Sequence, residues 1–256
     1  MRGLINAVRS ILFNIVFYIE MIIFVLIVGP LCLLPSDKAV RAGIKVLSLV
    51  VLFTARWIMG IRLEVRGREK LPPIGEPCIL LSKHMSNMDP FMTFLLRLDL
   101  TALAKKELFK IPLIGTILSK IKVVRIDRGA GNAHRGMDKA ADMVVTQKQA
   151  LLIYPEATRV KPGQQRRLKA GAFFMQEGRH LPVFPIAMNT GCHWSRGFWH
   201  TPGHVVVEVG DKIPEGLDRQ EFLDAAQERV VRRSDELMRE QGAILPPFEE
   251  QPVIGH

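Results

Sequence analysis

His84 and Asp89 stand in the segment LLSKHMSNMDP (80–90), where an apolar run ends at Leu81 and a polar loop begins. An imidazole followed by a carboxylate at this distance can act as a general base. A carboxylate oxygen that accepts one ring N–H fixes the tautomer and raises the basicity of the opposite nitrogen. The spacing H-x-x-x-x-D is a weak signal alone, because Asp89-Pro90 also reads as an N-cap followed by a first-turn proline, a job that needs no catalysis. The segment LLIYPEATR (151–159) repeats the pattern of apolar run and polar loop. Arg159 there offers a planar fork to phosphate oxygens, and Glu156 can orient that arginine or bond a substrate hydroxyl. The plainer reading is a loop ion pair of little energetic weight. Lys105 and Lys106 follow a third apolar run and add positive charge. Cys192, His193, His200 and His204 match no common zinc spacing, so no metal is expected. With Trp194 and Trp199 among them, that stretch reads as a mobile or membrane-facing loop. No G-x-G-x-x-G or phosphate-loop pattern occurs, so no nucleotide cofactor is indicated. Ser86 lacks the G-x-S-x-G context of a nucleophile elbow.

These side chains need a scaffold that brings loop ends together. Short apolar runs at 62–65, 78–81, 101–104, 123–126, 151–154, 183–188 and 205–209 read as strands. Helix candidates lie between them near 90–98, 112–120, 132–148 and 168–178, with a longer one at 218–242. Such alternation predicts an α/β fold, a mainly parallel sheet flanked by helices. In that arrangement ligand crevices open beyond the carboxyl ends of the strands. His84, Lys105, Glu156 and Arg159 would then converge on one edge. The domain is expected over 61–245, with a Pro-rich, loosely ordered tail at 246–256.

Residues 1–60 read differently, as a membrane-associated helical hairpin. The run 11–34 is apolar apart from Asn14, Glu20 and Gly29-Pro30, and as a helix it would extend about 36 Å. Pro35-Ser36-Asp37 makes a turn, with Ser36 or Asp37 able to cap an amphipathic second helix at 39–60 that carries Arg41, Lys45 and Arg56. Basic residues flank both ends of the first run, and Glu20 is costly in lipid. A hairpin dipping into one leaflet and a single span both fit. The chain of 256 residues carries 35 Lys+Arg against 25 Asp+Glu, a formal charge of +10. The excess gathers at 105–128 and 159–169, which suits phosphates or an anionic lipid surface. Those segments hold no Tyr or Trp to stack on bases, which argues against nucleic acid as a partner. The three cysteines are odd in number and far apart, so a small disulfide-built secreted module is excluded.

The blocks HMSNMD (84–89), KKELFKIPLIG (105–115), IDR (126–128), YPEATR (154–159) and VFPIAMNTG (183–191) occur in the order seen in 1-acyl-sn-glycerol-3-phosphate acyltransferases. Over roughly 60–215 the chain resembles a bacterial member of that family. The resemblance implies transfer of a fatty acyl group from acyl-CoA or acyl carrier protein to the 2-hydroxyl of lysophosphatidic acid, with no cofactor. It implies His84 as general base, Asp89 as its orienting partner, and Glu156 and Arg159 in the acceptor-binding block. Lys105 and Arg128 lie in other family blocks and are expected to add phosphate contacts. The expected partners are the bilayer, a lysophospholipid and an acyl thioester. The expected location is the bacterial inner membrane, with the catalytic domain on the cytoplasmic side. Tyr154 stands where Phe is usual, and Ala157 where Gly is usual. If that position is left-handed, Ala costs about 1 kcal/mol or more. Other readings are an acyltransferase for another lysolipid or for glycerol-3-phosphate, a non-catalytic adaptor binding anionic lipid, and a metal-dependent hydrolase.

Overall fold

The computed structural model describes residues 2–126 and 133–254. The apolar amino-terminal run forms α1 (Arg2–Leu31), and the amphipathic stretch forms α2 (Lys38–Thr54), which continues through a π-helical turn to Met59. Gly60 ends it in the left-handed conformation, φ 73°, where a side chain would be strained. The strands are β1 (Ile61–Arg66), β2 (Cys78–Ser82), β3 (Leu100–Lys105), β4 (Val124–Ile126), β5 (Ala150–Ile153), β6 (Val183–Met188) and β7 (Gly203–Val209). Helices α3 (Asp89–Leu96), α4 (Ile114–Lys120), α5 (Ala133–Gln147) and α6 (Gly171–Arg179) alternate with them. The last long helix is α7 (Arg219–Ala226) and α8 (Arg233–Glu240), joined by a π-helical turn. It starts on a capping box, with Asp218 accepting from the Gln220 and Glu221 amides and Glu221 accepting from the Asp218 amide.

The strands form one sheet in the order β1-β7-β6-β2-β5-β3-β4. Every pair is parallel except β6 and β7. The central strands β2, β5 and β6 are wholly buried, which is why they read as continuous apolar runs rather than alternating ones. Successive side chains of β2 serve opposite faces. Cys78 and Leu80 join a core with Phe13 and Phe17 of α1, Leu47 and Val51 of α2, and Met92 of α3. Ile79 and Leu81 join the other core, with Val144 of α5, Phe173 of α6 and Phe222 of α7. The amino-terminal helices therefore form a layer of the fold itself. Their outer surfaces remain apolar: Leu4, Val8, Ile15, Ile22 and Ile27 of α1 and Phe53 of α2 are all more than half exposed. Both helices are long and apolar enough to cross a membrane.

Three local expectations are corrected. Asp37 does not cap α2; its carboxylate turns to Arg41 Nε at 2.7 Å, while the Ser36 hydroxyl accepts the Lys38 amide at 3.2 Å. The tail, expected to be loosely ordered, is tied down through Ile254. Phe248 fills a place in the second core, Gln165 bridges to Val253, and Gln251 donates to the buried carboxylate of Asp235. The segment around Trp194 is not wholly a mobile loop, because Trp194 is buried and packs edge-on against Phe13 at 4.7 Å.

Candidate active site

The carboxyl ends of β2, β5, β3 and β6 lie on one edge because those four strands run parallel. The loop after β2 carries His84, and the loop after the adjacent β5 carries Glu156 and Arg159. A pairing between strands some seventy residues apart in sequence thus brings two short polar loops side by side.

Asp89 is fully buried, and four donors converge on its carboxylate. Oδ2 accepts His84 Nδ1–H and the backbone amides of Met85 and Ser86, each at 2.8 Å; Oδ1 accepts the Thr190 hydroxyl at 2.6 Å. The expected role of Asp89 as N-cap is not what the chain does. The helix cap position belongs to Met88, and Asp89 is the first helical residue. Both of its oxygens serve the preceding loop and the turn after β6 instead. A carboxylate so surrounded accepts only, so His84 Nδ1 carries the proton and Nε2 is left as the basic nitrogen. Among the described residues Nε2 has no hydrogen-bond partner, and the His84 side chain is 20% exposed.

Tyr154 lies flat against the imidazole, with ring centroids 4.0 Å apart and planes 14° apart. An aromatic face beside a base favours the imidazolium that forms when the base takes a proton. The Tyr154 hydroxyl is buried, and burial followed by the Asp89 charge raises its pKa well above the usual phenol value. It stays protonated.

Glu156 is completely buried, which the sequence did not reveal. Its Oε1 accepts Lys83 Nζ at 3.3 Å, and its Oε2 accepts the backbone amide of His84 at 3.1 Å. Lys83 is equally buried. Glu156 therefore neither orients Arg159 nor lies open to a ligand; it braces the His84 loop from within. The two loops are tied twice more, by the Val160 amide donating to the His84 carbonyl at 2.8 Å and by Arg159 donating to the Asn87 side chain. Ala157 turns the β5 loop at φ 57°, the left-handed conformation.

Arg159 lines a cavity of about 400 Å³ together with Met85, Lys161, Gly191 and Arg196. Lys105 ends β3 on the same edge, exposed and separated from β2 by β5. It is brought to the edge but not to that cavity. Arg128 lies outside the described residues. Among the described residues no three His, Cys, Asp or Glu side chains are placed to hold a metal ion. Lys83, Thr190 and Asn87 were not singled out from the sequence. Lys83 stands directly before His84, and an ammonium just past a wholly buried strand is a sign that a buried carboxylate has to meet it.

A sequence model of the family described as acyltransferase matches residues 62–189. The 1-acyl-sn-glycerol-3-phosphate acyltransferase of Pseudomonas aeruginosa is 32% identical over 180 residues, covering 70% of this chain and 69% of its own length. The alpha form of that enzyme from Homo sapiens is 31% identical over 213 residues, 80% of this chain and 73% of its own. The crystal structure of the 1-acyl-sn-glycerophosphate acyltransferase from Thermotoga maritima matches with a TM-score of 0.77, covering 93% of this chain and 100% of that one. At 21% identity this likeness speaks for the fold alone. With the family match spanning β1 to β6 and both polar loops, the chain belongs to the acyltransferase family that includes the 1-acyl-sn-glycerol-3-phosphate acyltransferases.

Proposed function

We propose that the protein transfers a fatty acyl group from an acyl thioester, acyl-CoA or acyl carrier protein, to the 2-hydroxyl of lysophosphatidic acid, giving phosphatidic acid. The observation that carries this reading is the His84–Asp89 pair, with Nδ1 held at 2.8 Å and Nε2 unpartnered among the described residues, on a loop tied to the one that carries Arg159. In the reaction His84 Nε2 accepts the acceptor's hydroxyl proton as the oxygen attacks the thioester carbonyl carbon. The C–S bond then breaks, and the thiolate takes the proton back from the imidazolium. Asp89 and the Tyr154 ring stabilise that imidazolium throughout. A thioester is activated enough for this route without a metal or cofactor. Arg159 binds the acceptor phosphate as a planar fork, and Lys105 and Arg128 supply further positive charge for it.

In this reading α1 and α2 seat the protein on a bilayer by their exposed apolar faces. The catalytic edge then meets lysolipid held in the membrane. A bacterial inner membrane with the catalytic domain on the cytoplasmic side fits acyl donors made in the cytosol.

Purified protein in detergent, given lysophosphatidic acid and palmitoyl-CoA, is expected to release free thiol and phosphatidic acid in equal amounts. The His84→Ala variant should be slower by about 10²–10⁴-fold, while still unfolding in one cooperative thermal transition. A folded variant with full activity would remove His84 from the mechanism. Thiol release without phosphatidic acid would assign a different acceptor.

A further inference from the structure

Beyond Thr190, which holds Asp89, the chain between β6 and β7 has no part in the scheme above, yet it is firmly built. Trp194 is 2% exposed and packs edge-on against Phe13 and Phe17 of α1. The Ser10 hydroxyl of α1 accepts the His200 amide at 3.0 Å and donates to the His200 carbonyl at 3.3 Å. Asn14, one turn further along α1, donates to the Phe198 carbonyl at 2.9 Å. At the tip the Ser195 hydroxyl accepts the Gly197 amide at 3.2 Å and donates to the Trp199 carbonyl at 2.8 Å. A turn tied at both its base and its tip fixes the backbone that carries Arg196.

Arg196 lines the same cavity as Arg159 and Lys161, although the two come from a different loop, the one after β5. Among the described residues no acidic side chain lines that cavity. Arg196 and Lys161 have no carboxylate partner among the described residues. Three cations around one small cavity repel one another unless an anion occupies it. Met85, the residue after His84, lines it as well, and the Val160 amide in its lining donates to the His84 carbonyl at 2.8 Å, so an anion held there lies against the loop that carries the base.

We propose that Arg196 is a second phosphate-binding residue, gripping the acceptor's phosphate from the β6–β7 loop while Arg159 grips it from the β5 loop. The assignment rests on the acyl-transfer reading. Coenzyme A also carries phosphates, and the surroundings of Arg196 decide between the two. Phe198 and Trp199, about half exposed, follow it in the turn that Ser10 and Asn14 hold to α1, a helix whose other face is exposed and apolar. Exposed aromatic residues at such a place settle at the headgroup level of a bilayer. The lysolipid phosphate lies at that level, whereas coenzyme A arrives from water. Because the loop is bolted to Ser10 and Asn14, the amino-terminal helix also shapes the acceptor site.

The test separates acceptor from donor. KM for lysophosphatidic acid and KM for palmitoyl-CoA are measured for wild type, Arg196→Ala and Arg196→Lys in the same detergent. The alanine variant should raise the acceptor KM about tenfold, as expected for loss of one charge-assisted contact. Its donor KM should hold, and the lysine variant should recover part of the loss. An unchanged acceptor KM in an active enzyme overturns the proposal. So does a rise confined to the donor KM, which would give Arg196 to coenzyme A. Binding is followed independently by titrating lysophosphatidic acid against intrinsic tryptophan fluorescence. A tenfold weaker affinity in Arg196→Ala supports the proposal even if wild type shows no turnover, an outcome that would strike only the acyl-transfer reading. Equal affinities overturn it.

Discussion

Ala157 occupies a backbone position at φ 57°, where an L side chain meets the following carbonyl and glycine does not. The strain sits at the turn that carries Glu156 and Arg159, between the Ala157 amide bonded to the Tyr154 carbonyl at 2.9 Å and the tie from Val160 to His84. Relieving it should stabilise the fold without moving the loop. Ala157→Gly is therefore expected to add about 1 kcal/mol, a rise of roughly 2–4 °C in the thermal midpoint. An unchanged or lower midpoint in detergent would show that the loop tolerates the alanine at no cost. The neighbouring Lys83–Glu156 pair follows another logic. Both side chains are wholly buried, so neither charge could be removed alone without leaving the other stranded. Their value lies in position, because the second oxygen of Glu156 fixes the backbone just where His84 begins.

Among the elements, α2 shows how the amino-terminal helices are keyed to the sheet. Arg41 is 8% exposed, and its guanidinium donates to the carbonyls of Leu98, Leu100 and Ile121 at 3.0, 2.7 and 3.2 Å. Those carbonyls belong to the start of β3 and to the end of α4, so one side chain joins three elements. From the sequence Arg41 read as a charge interrupting an apolar stretch; in the fold it is what the stretch turns inward. Arg41→Leu keeps an apolar stem but leaves three carbonyls without their donor. It should cost about 3 kcal/mol, a fall of roughly 5–10 °C in the thermal midpoint. A midpoint within a degree of wild type would mean that water replaces the guanidinium freely. The close approach of Gly43 to Val28 explains how α1 and α2 lie against each other there, since a Cβ would meet Val28 Cγ2 at 2.6 Å.

At the scale of the whole molecule, the docking of α1 on the β6–β7 loop depends on pH through His200. Burial among Phe13 and Trp194 lowers its pKa from 6.5 to about 4. The unfolded chain takes up a proton near pH 6.5, and the folded one only near 4. Between those values the unfolded state binds more protons, so stability falls as the pH drops through that window and is unaffected above it. The loss attributable to His200 is about 3 kcal/mol across the window. Thermal midpoints measured from pH 7 to pH 4 should fall more steeply for wild type than for His200→Gln, and parallel curves would discard the idea. Seven strands, the helices between them and the places of His84 and Arg159 just beyond two strand ends are legible in the residues alone. Those features follow from apolar runs and breaks that each segment carries locally. Only the folded chain makes β2 and β5 neighbours, turns both oxygens of Asp89 to the loop before it and the turn after β6 rather than to its helix, and buries Glu156 on Lys83. It alone decided, too, that α1 builds part of the catalytic side of the molecule. Strand order and burial arise from contacts between residues far apart in the chain, and no local pattern of residue types encodes which distant partner a side chain will meet.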